Sequence, residues 1–208
     1  KVERAAIETI IERAKNPYLG CFPWLDNSEQ PKGTTALYPD SIGYVEYIDV
    51  SKFNNLLFDS GEHVYLVARP GSFIHPSQPV MYITNNELIS LHASLIETIH
   101  VSDVRSFTQD PRFCLCVMAE IACRALSPAV NDPGTAIDVI GRGVRVLSVY
   151  AQNKVDTTDV KYPYVHIAPL FVCDMLEDFF SPIARDGAAM REIPIRLIKG
   201  LSMLSHGW

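Results

Sequence analysis

The spacing of apolar and polar residues changes twice along the chain. Residues 2–15 have the spacing of an amphipathic helix, which Asn16-Pro17 ends. Residues 16–40 are rich in proline and glycine, which is typical of an irregular connection. We therefore predict an N-terminal segment, residues 1–35, made of one helix and its connection.

From Ser41 the pattern becomes that of short strands. A short helix interrupts them, capped by Asp49 or Ser51 and closed by Gly61. Residues 88–101 fit a strand or a helix. Runs of β-branched and aromatic residues mark strands at 44–48, 63–68, 73–74 and 80–83. The pattern predicts a small β-barrel-like module over residues 36–104.

After Asp110-Pro111 the spacing is helical to the end of the chain. The predicted helices cover 113–126, 133–151 and 168–180, with a fourth after Asp186, and residues 152–163 read as a polar loop. Gly141 and Gly143 lie within the second helix, where they would allow close helix packing. We predict an antiparallel helical half, residues 105–208, and hence an α+β fold class.

A sequence echo lies within this helical half. Glu120, Ser127-Pro128 and Asp132 recur after a constant 54 residues as Asp174, Ser181-Pro182 and Asp186. Duplication of a helical hairpin would explain the echo. Convergent turn chemistry is the alternative, since serine, proline and aspartate suit any helix-break-helix.

Composition excludes some classes of partner. The 208 residues carry a net charge of −6 and no basic tract, so we expect no nucleic-acid binding and no attraction to anionic lipid. Hydrophobic residues make up 48% of the chain, and its helices are apolar around most of their girth. This leaves surface for a partner, and we expect a homo-oligomer.

The residue types of familiar catalytic and metal sites do not occur at the required spacings. The five cysteines form no zinc pattern, so we expect core thiols in a reducing compartment and no metal. The histidines form no metal motif, and no nucleophile elbow or phosphate loop is present. We therefore predict no catalytic residues, and these absences favour a non-enzymatic role without deciding it.

The densest run of polar and special residues is Arg124–Ala136, where one helix ends and the next begins. It contains the candidate ligand-binding residues Arg124, Ser127, Asn131, Asp132 and Thr135. As a functional site, the run would offer free N–H groups to a small anion. As a structural corner, it would use Asp132 as the helix cap and Arg124 to neutralise a helix dipole or pair with Asp132. The charge of Asp132 at that position favours the structural interpretation.

A family resemblance rests on this run and on the residues before it. Gln109-Asp110-Pro111-Arg112-Phe113-Cys114-Leu115 is followed by Ile121-Ala122-Cys123-Arg124-Ala125-Leu126-Ser127-Pro128 and by Asn131-Asp132-Pro133-Gly134-Thr135-Ala136. The chain resembles an uncharacterised family of bacterial predicted integral membrane proteins that carries this signature. The resemblance implies transmembrane helices before this segment, which would place residues 1–35 on the juxtamembrane side. It implies no established activity.

A second resemblance concerns the fold of residues 36–104. Gly43-Tyr44-Val45, Pro70-Gly71 and Pro79-Val80 are similar to the half-motifs of barrel-sandwich modules, which present a lysine when they carry a cofactor. Lys52 lies instead in a helix-like insertion, so we expect a structural barrel without cofactor.

Together these observations predict an extramembrane interaction or regulatory domain that oligomerises and attaches to its own transmembrane segment. The full-length protein would lie in the bacterial inner membrane, with this domain on the cytoplasmic side, where unpaired cysteines stay reduced. The alternative is a small anionic-ligand-binding or hydrolytic site at the corner from Arg124 to Asp138.

Overall fold

The structure is a computed structural model, which describes residues 2–25, 29–58, 60–84, 89–155 and 159–206. Its helices are α1 (Val2–Lys15), α2 (Val50–Leu57), α3 (Ile89–Ile96), α4 (Pro111–Leu126), α5 (Pro133–Asn153), α6 (Val172–Asp186) and α7 (Glu192–Ser205). Its strands are β1 (Cys21–Pro23), β2 (Thr35–Leu37), β3 (Gly43–Ile48), β4 (Val64–Leu66), β5 (Phe73–Ile74), β6 (Met81–Ile83), β7 (Ile99–Ser102) and β8 (Tyr162–Ile167). The predicted α+β class is confirmed.

The chain divides into two compact units. The helical unit comprises Lys1–Lys15, Pro111–Lys154 and Phe171–Trp208, and the sheet unit comprises Asn16–Asp110 and Val155–Leu170. Each unit is built from pieces that alternate along the chain, whereas the predicted division at residues 35 and 104 is sequential. As a statement about independently folding domains, that division stays a prediction.

In the helical unit, α5 contacts α1, α4 and α7, and α4 packs against α6. Gly143 lies on the buried side of α5, and a Cβ there would lie 2.0 Å from Cζ of Phe179 on α6. Gly143 therefore permits the close packing predicted for it. Gly141 has open space where its Cβ would be, so the packing role predicted for Gly141 is wrong.

The sheet unit contains two sheets. The order of the five-stranded sheet is β1-β8-β4-β6-β2, with β8 parallel to both of its neighbours and the other pairs antiparallel. The three-stranded sheet, β5-β3-β7, is antiparallel. Within the described residues the strands form no closed barrel, so the barrel-like description is not confirmed. The buried side chains of α2, of both sheets and of Leu95 form one apolar core.

Short sequence patterns correctly predicted two features of the sheet unit. Asp49 caps α2, since its Oδ1 accepts a 2.9 Å hydrogen bond from the backbone N of Lys52. The ambiguous residues 88–101 contain both alternatives, because α3 is followed directly by β7. Position 88 itself lies outside the described residues.

Three strands contradict the predicted pattern. β1 and β2 lie within residues 16–40, which were expected to be irregular. β8 lies in the half that was expected to be helical to its end, and it pairs with β1 and β4. Both expectations are wrong because a strand's partners supply its backbone hydrogen bonds, and these partners are distant in sequence.

The second half of the sequence echo has no helix break. Ser127-Pro128 follows the end of α4, as predicted, but Ser181-Pro182 lies inside α6. Asp186 is the last residue of α6 and does not cap α7, which begins at Glu192. The predicted break at Ser181-Pro182 is therefore wrong.

The cysteines are all free. Cys21 and Cys114 are buried, as expected of core thiols, while Cys116 and Cys123 are half-buried. Cys173 is exposed, so the core position expected for it is wrong. Burial, together with a hydrogen bond to Asp186, raises the pKa of Cys123 to about 11.

Candidate functional site

The predicted corner between α4 and α5 is organised around Asp132. Asp132 is the N-cap of α5: its Oδ1 accepts a 3.0 Å hydrogen bond from the backbone N of Thr135, and its Oδ2 accepts one of 2.5 Å from Thr135 Oγ1. The hydroxyl bond first, and then the backbone bond, lower the pKa of Asp132. The carboxylate is thus occupied by the helix that it begins.

The other three candidate residues close the turn through hydrogen bonds to backbone carbonyls. Ser127 Oγ donates to the carbonyl of Arg124 over 2.8 Å, and the backbone N of Asn131 donates to the carbonyl of Ser127 over 2.8 Å. Asn131 has a φ of 49°, which asparagine tolerates better than most residues. In the described part of the chain, the exposed Arg124 side chain forms no ion pair with Asp132.

A groove in the helical unit begins just beyond this corner. Its volume is about 420 Å³, and α5 supplies most of its lining together with one residue of α7. The lining residues are Gly134, Ile137, Asp138, Gly141, Arg142, Arg145 and Arg196. We refer to it as the arginine groove. Gly134 and Asp138 belong to the predicted corner, but Arg124, Ser127, Asn131, Asp132 and Thr135 do not line the groove.

Two carboxylates hold two of its arginines. Arg142 Nε donates to Asp138 Oδ2 over 2.7 Å, and Arg142 Nη1 donates to Glu3 Oε2 over 2.6 Å. Arg145 Nη1 donates to the other oxygen of Glu3, Oε1, over 2.7 Å. The hydrogen bonds that Arg142 donates, first to Asp138 and then to Glu3, raise its pKa.

The charges of the arginine groove do not cancel. The groove is lined by three guanidinium groups, and only two carboxylates, those of Asp138 and Glu3, contact them. One positive charge is therefore left over, although the chain as a whole is negative. In the described structure the exposed Arg196 forms no hydrogen bond or ion pair with another side chain. The groove can therefore accept an anion, and guanidinium groups suit the oxygens of phosphate or carboxylate.

Sequence reasoning missed the three arginines of this groove and the carboxylate of Glu3. Asp138, Arg142 and Arg145 follow the i, i+4, i+7 spacing of one helix face, so a search for charge patterns could have found them. Glu3 and Arg196 carry no such signal, because their place beside α5 depends on the packing of α1 and α7.

The first part of the family-like motif has structural contacts in the sheet unit. The amide side chain of Gln109 pairs with the backbone of Ile48, accepting from its N over 3.0 Å and donating to its O over 3.3 Å. Asp110 is 2% exposed and accepts from Arg105 Nη2 over 2.6 Å. A Cβ on Gly71 would lie 2.2 Å from Asp110 Oδ2, so this buried ion pair needs glycine at position 71.

A histidine pair also lies in the sheet unit. His63 Nδ1 and His166 Nε2 are 2.9 Å apart, and the ring of His166 stacks on Tyr65 with centroids 4.4 Å apart. Burial, and then the neighbouring His63, lower the pKa of His166 to about 4. In the parts of the chain that the structure describes, no group of three or more histidine, cysteine, aspartate or glutamate side chains could hold a metal ion.

Comparison with known families decides what kind of protein this is. The family described as "Predicted membrane protein (DUF2254)" matches residues 1–203. The chain belongs to this family of predicted membrane proteins. No helix in the described ranges of this DUF2254 chain is long and apolar enough to cross a membrane.

Relatives of this DUF2254 chain occur in mycobacteria. An uncharacterised protein of Mycobacterium bovis and one of Mycobacterium tuberculosis strain H37Rv are each 28% identical to it over 165 residues. An uncharacterised protein of Mycobacterium tuberculosis strain CDC 1551 is 27% identical over the same length. Each comparison covers 71% of this chain and 32% of the relative, so the chain spans about a third of these proteins. No solved structure matches the chain.

Proposed function

We propose that this chain is an extramembrane domain that binds a small phosphate-bearing anion in the arginine groove. The observation that carries the proposal is the convergence of Arg142, Arg145 and Arg196 on one groove with only two carboxylates.

The shape of the groove supports an oxyanion ligand. Gly141 offers open space for a ligand atom where any other residue would place a Cβ, and Gly134 has only Asp132 Oδ1 near that position, at 3.3 Å. The side chain of Arg145 is 65% exposed and that of Arg142 is 45% exposed, so both can turn N–H groups towards an incoming anion. A phosphate can accept two parallel hydrogen bonds from each guanidinium group.

The corner supports the groove in this proposal. Asp132 fixes the first turn of α5 and so the position of Gly134. Ser127, Asn131 and Thr135 hold the turn, and the exposed Arg124 adds a positive charge near it. A hydrolytic role has no support from an activated nucleophile there, so binding is the function that we assign.

Titration calorimetry with pyrophosphate tests the proposal. Arg196→Gln should weaken binding about tenfold, the loss of one charge-assisted contact. Arg191→Gln is the matched control. Arg191 is the exposed N-cap residue of α7, and it does not line the groove. Equal binding by both variants and the parent would overturn the proposal, as would no binding by the parent and by every variant.

The same phosphate chemistry could come from a lipid headgroup. Sedimentation with vesicles of phosphatidylcholine, with and without phosphatidic acid, separates the two sources. Binding to phosphatidic acid vesicles that depends on Arg196 would assign the ligand to the membrane. Binding of pyrophosphate without vesicle binding would assign it to solution.

A second candidate function is self-association through α7, which would make the chain an interaction module. Its observation is an exposed apolar stripe formed by Ile195, Ile198 and Leu201, at three-residue spacing. We propose a homo-oligomer that buries this stripe. Light scattering should give a mass above the monomer for the parent and a lower mass for Ile198→Lys. Val130→Lys is the control, because Val130 is similarly exposed on the α4–α5 turn.

We place the domain on the cytoplasmic side of a bacterial inner membrane, attached to a transmembrane segment of the same protein. Membership of a predicted membrane protein family and five free cysteines support this topology. Reporter fusions in the full-length protein test it. A periplasmic signal from a reporter fused after residue 206 would contradict it.

A further inference from the structure

Two of the arginines that line the groove already bind an anion supplied by the chain itself. The carboxylate of Glu3 spans Arg142 and Arg145, giving one oxygen to each, at 2.6 and 2.7 Å. Its side chain is only 16% exposed, although the arginines that it bridges are about half-exposed or more. An oxyanion that bridged Arg142 and Arg145 would compete with this carboxylate for the two guanidinium groups.

Resting on the proposed function, we infer that Glu3 is a built-in competitor that a phosphate ligand must displace. Without a ligand, the guanidinium groups of Arg142 and Arg145 share the single carboxylate of Glu3. A doubly charged phosphate group offers more acceptor oxygens and more charge to the same two groups, so it can replace the carboxylate. A singly charged carboxylate ligand gains no such advantage over Glu3. The ligand class selected by this competition is therefore a polyanionic phosphate.

The structure also indicates what displacement would release. Glu3 lies in the first turn of α1, where the neighbouring Arg4 is exposed. The buried residues that anchor the helix, Ala6, Ile10 and Ala14, lie further along it. Loss of the Glu3 contacts therefore frees the first turn while the rest of α1 stays packed. Occupancy of the groove is thereby coupled to the start of α1.

Glu3→Gln tests the competition. The amide keeps the size of the side chain but removes its charge, so pyrophosphate should bind about tenfold more tightly than to the parent. Glu8→Gln is the matched control: Glu8 lies on the same helix and makes only an exposed contact with Arg4 at 3.9 Å. It should leave the affinity within about twofold of the parent.

Hydrogen exchange provides a readout independent of affinity. Saturating pyrophosphate should speed amide exchange at residues 6–9 in the parent, because these N–H groups donate to the carbonyls of the first turn of α1, and leave Ile10–Ala14 protected. In Glu3→Gln the amides of residues 6–9 should exchange fast before any ligand is added. Unchanged exchange in the parent at saturation would overturn the inference.

The outcomes separate this inference from the proposed function. If the parent binds pyrophosphate and Glu3→Gln binds it equally or more weakly, the groove is an anion site but Glu3 is no competitor. If only Glu3→Gln binds, the competition is supported in its strongest form. If neither binds, both proposals fail.

Discussion

A pair of glycines two residues apart on α5 offers a direct test of how the helical unit packs. Gly143 is buried, and a Cβ there would lie 2.0, 2.3 and 2.6 Å from three atoms of the Phe179 ring. Gly141 has nothing within 4 Å of the same position. Replacement by alanine should therefore have opposite effects at the two sites.

The magnitudes follow from two terms. Alanine is favoured over glycine inside a helix by about 1 kcal/mol, and this gain applies to both variants. Carbon atoms pack best at about 3.5–4.0 Å, so the Phe179 ring would have to move by about 1.5 Å to accept the new methyl group. Phe179 is fully buried and packs edge-on against Phe180, which limits that movement. Overpacking of this kind costs about 1–3 kcal/mol, and the severity of the overlap favours the upper end.

Gly141→Ala should therefore raise the free energy of unfolding by about 0.5–1 kcal/mol, and Gly143→Ala should lower it by about 2 kcal/mol. The measurement is urea unfolding followed by circular dichroism at 222 nm. Because both changes are Gly→Ala on one helix, their effects on the unfolded chain are equal, and the difference reports the contact with Phe179. Equal stability of the two variants would refute the packing.

A double variant separates the ring contact from other effects of the new methyl group. Phe179→Leu removes part of the ring that the methyl group would meet, so Gly143→Ala should be less damaging in that background. Additive losses would show that Gly143→Ala acts elsewhere.

Three further predictions concern other parts of the chain. Asp132→Ala should lower Tm by about 2–4 °C, and Asp132→Asn should lower it much less, since a cap needs an acceptor and not a charge. Equal losses in the two variants, with stabilisation of the parent alone by phosphate, would instead place Asp132 in a binding site. His166 has a depressed pKa, so its neutral form stabilises the fold above about pH 6.5, and stability is lost as pH falls towards about 4. Partial exposure of His166 reduces this loss of stability to about 1–2 kcal/mol. Acid unfolding followed by circular dichroism should show a smaller loss in His166→Gln and an unchanged loss in the control His75→Gln. Iodoacetamide at pH 8 should alkylate the exposed Cys173 well before Cys123, whose raised pKa keeps it a thiol; mass spectrometry showing the reverse order would contradict the structure.

Features determined by neighbouring residues could be predicted from the sequence. The helix over 2–15 needed only its apolar spacing and Asn16-Pro17, and the structure gives it the same bounds. Asp49 and Asp132 act on N–H groups three residues away, so their capping roles follow from local order. The family resemblance was equally local, since it rests on a continuous motif.

The short strands show where local reasoning fails. β1 and β2 have three residues each, too few to show a period, and they lie among prolines and glycines. β8 did carry a signal: the apolar, β-branched Val165 and Ile167 alternate with the polar His166, and the structure buries the two apolar residues. The segment lies where the predicted polar loop over 152–163 meets the predicted helix over 168–180, so the pattern around it indicates no strand. Only its pairing with β1 and β4 makes this segment a strand.

The candidate site fails to follow from the sequence for a related reason. Residues that are polar and close in sequence, such as Asp132 and Thr135, satisfy one another, so the densest polar run marks a turn. Side chains that are brought together from distant helices need not balance in charge, because their positions in the sequence do not pair them. Such places can keep charge for a ligand. Glu3 and Arg145 are 142 residues apart, and their contact exists only because α1 packs against α5. A binding site in this chain is therefore better sought where helices meet than where polar residues are most concentrated in the sequence.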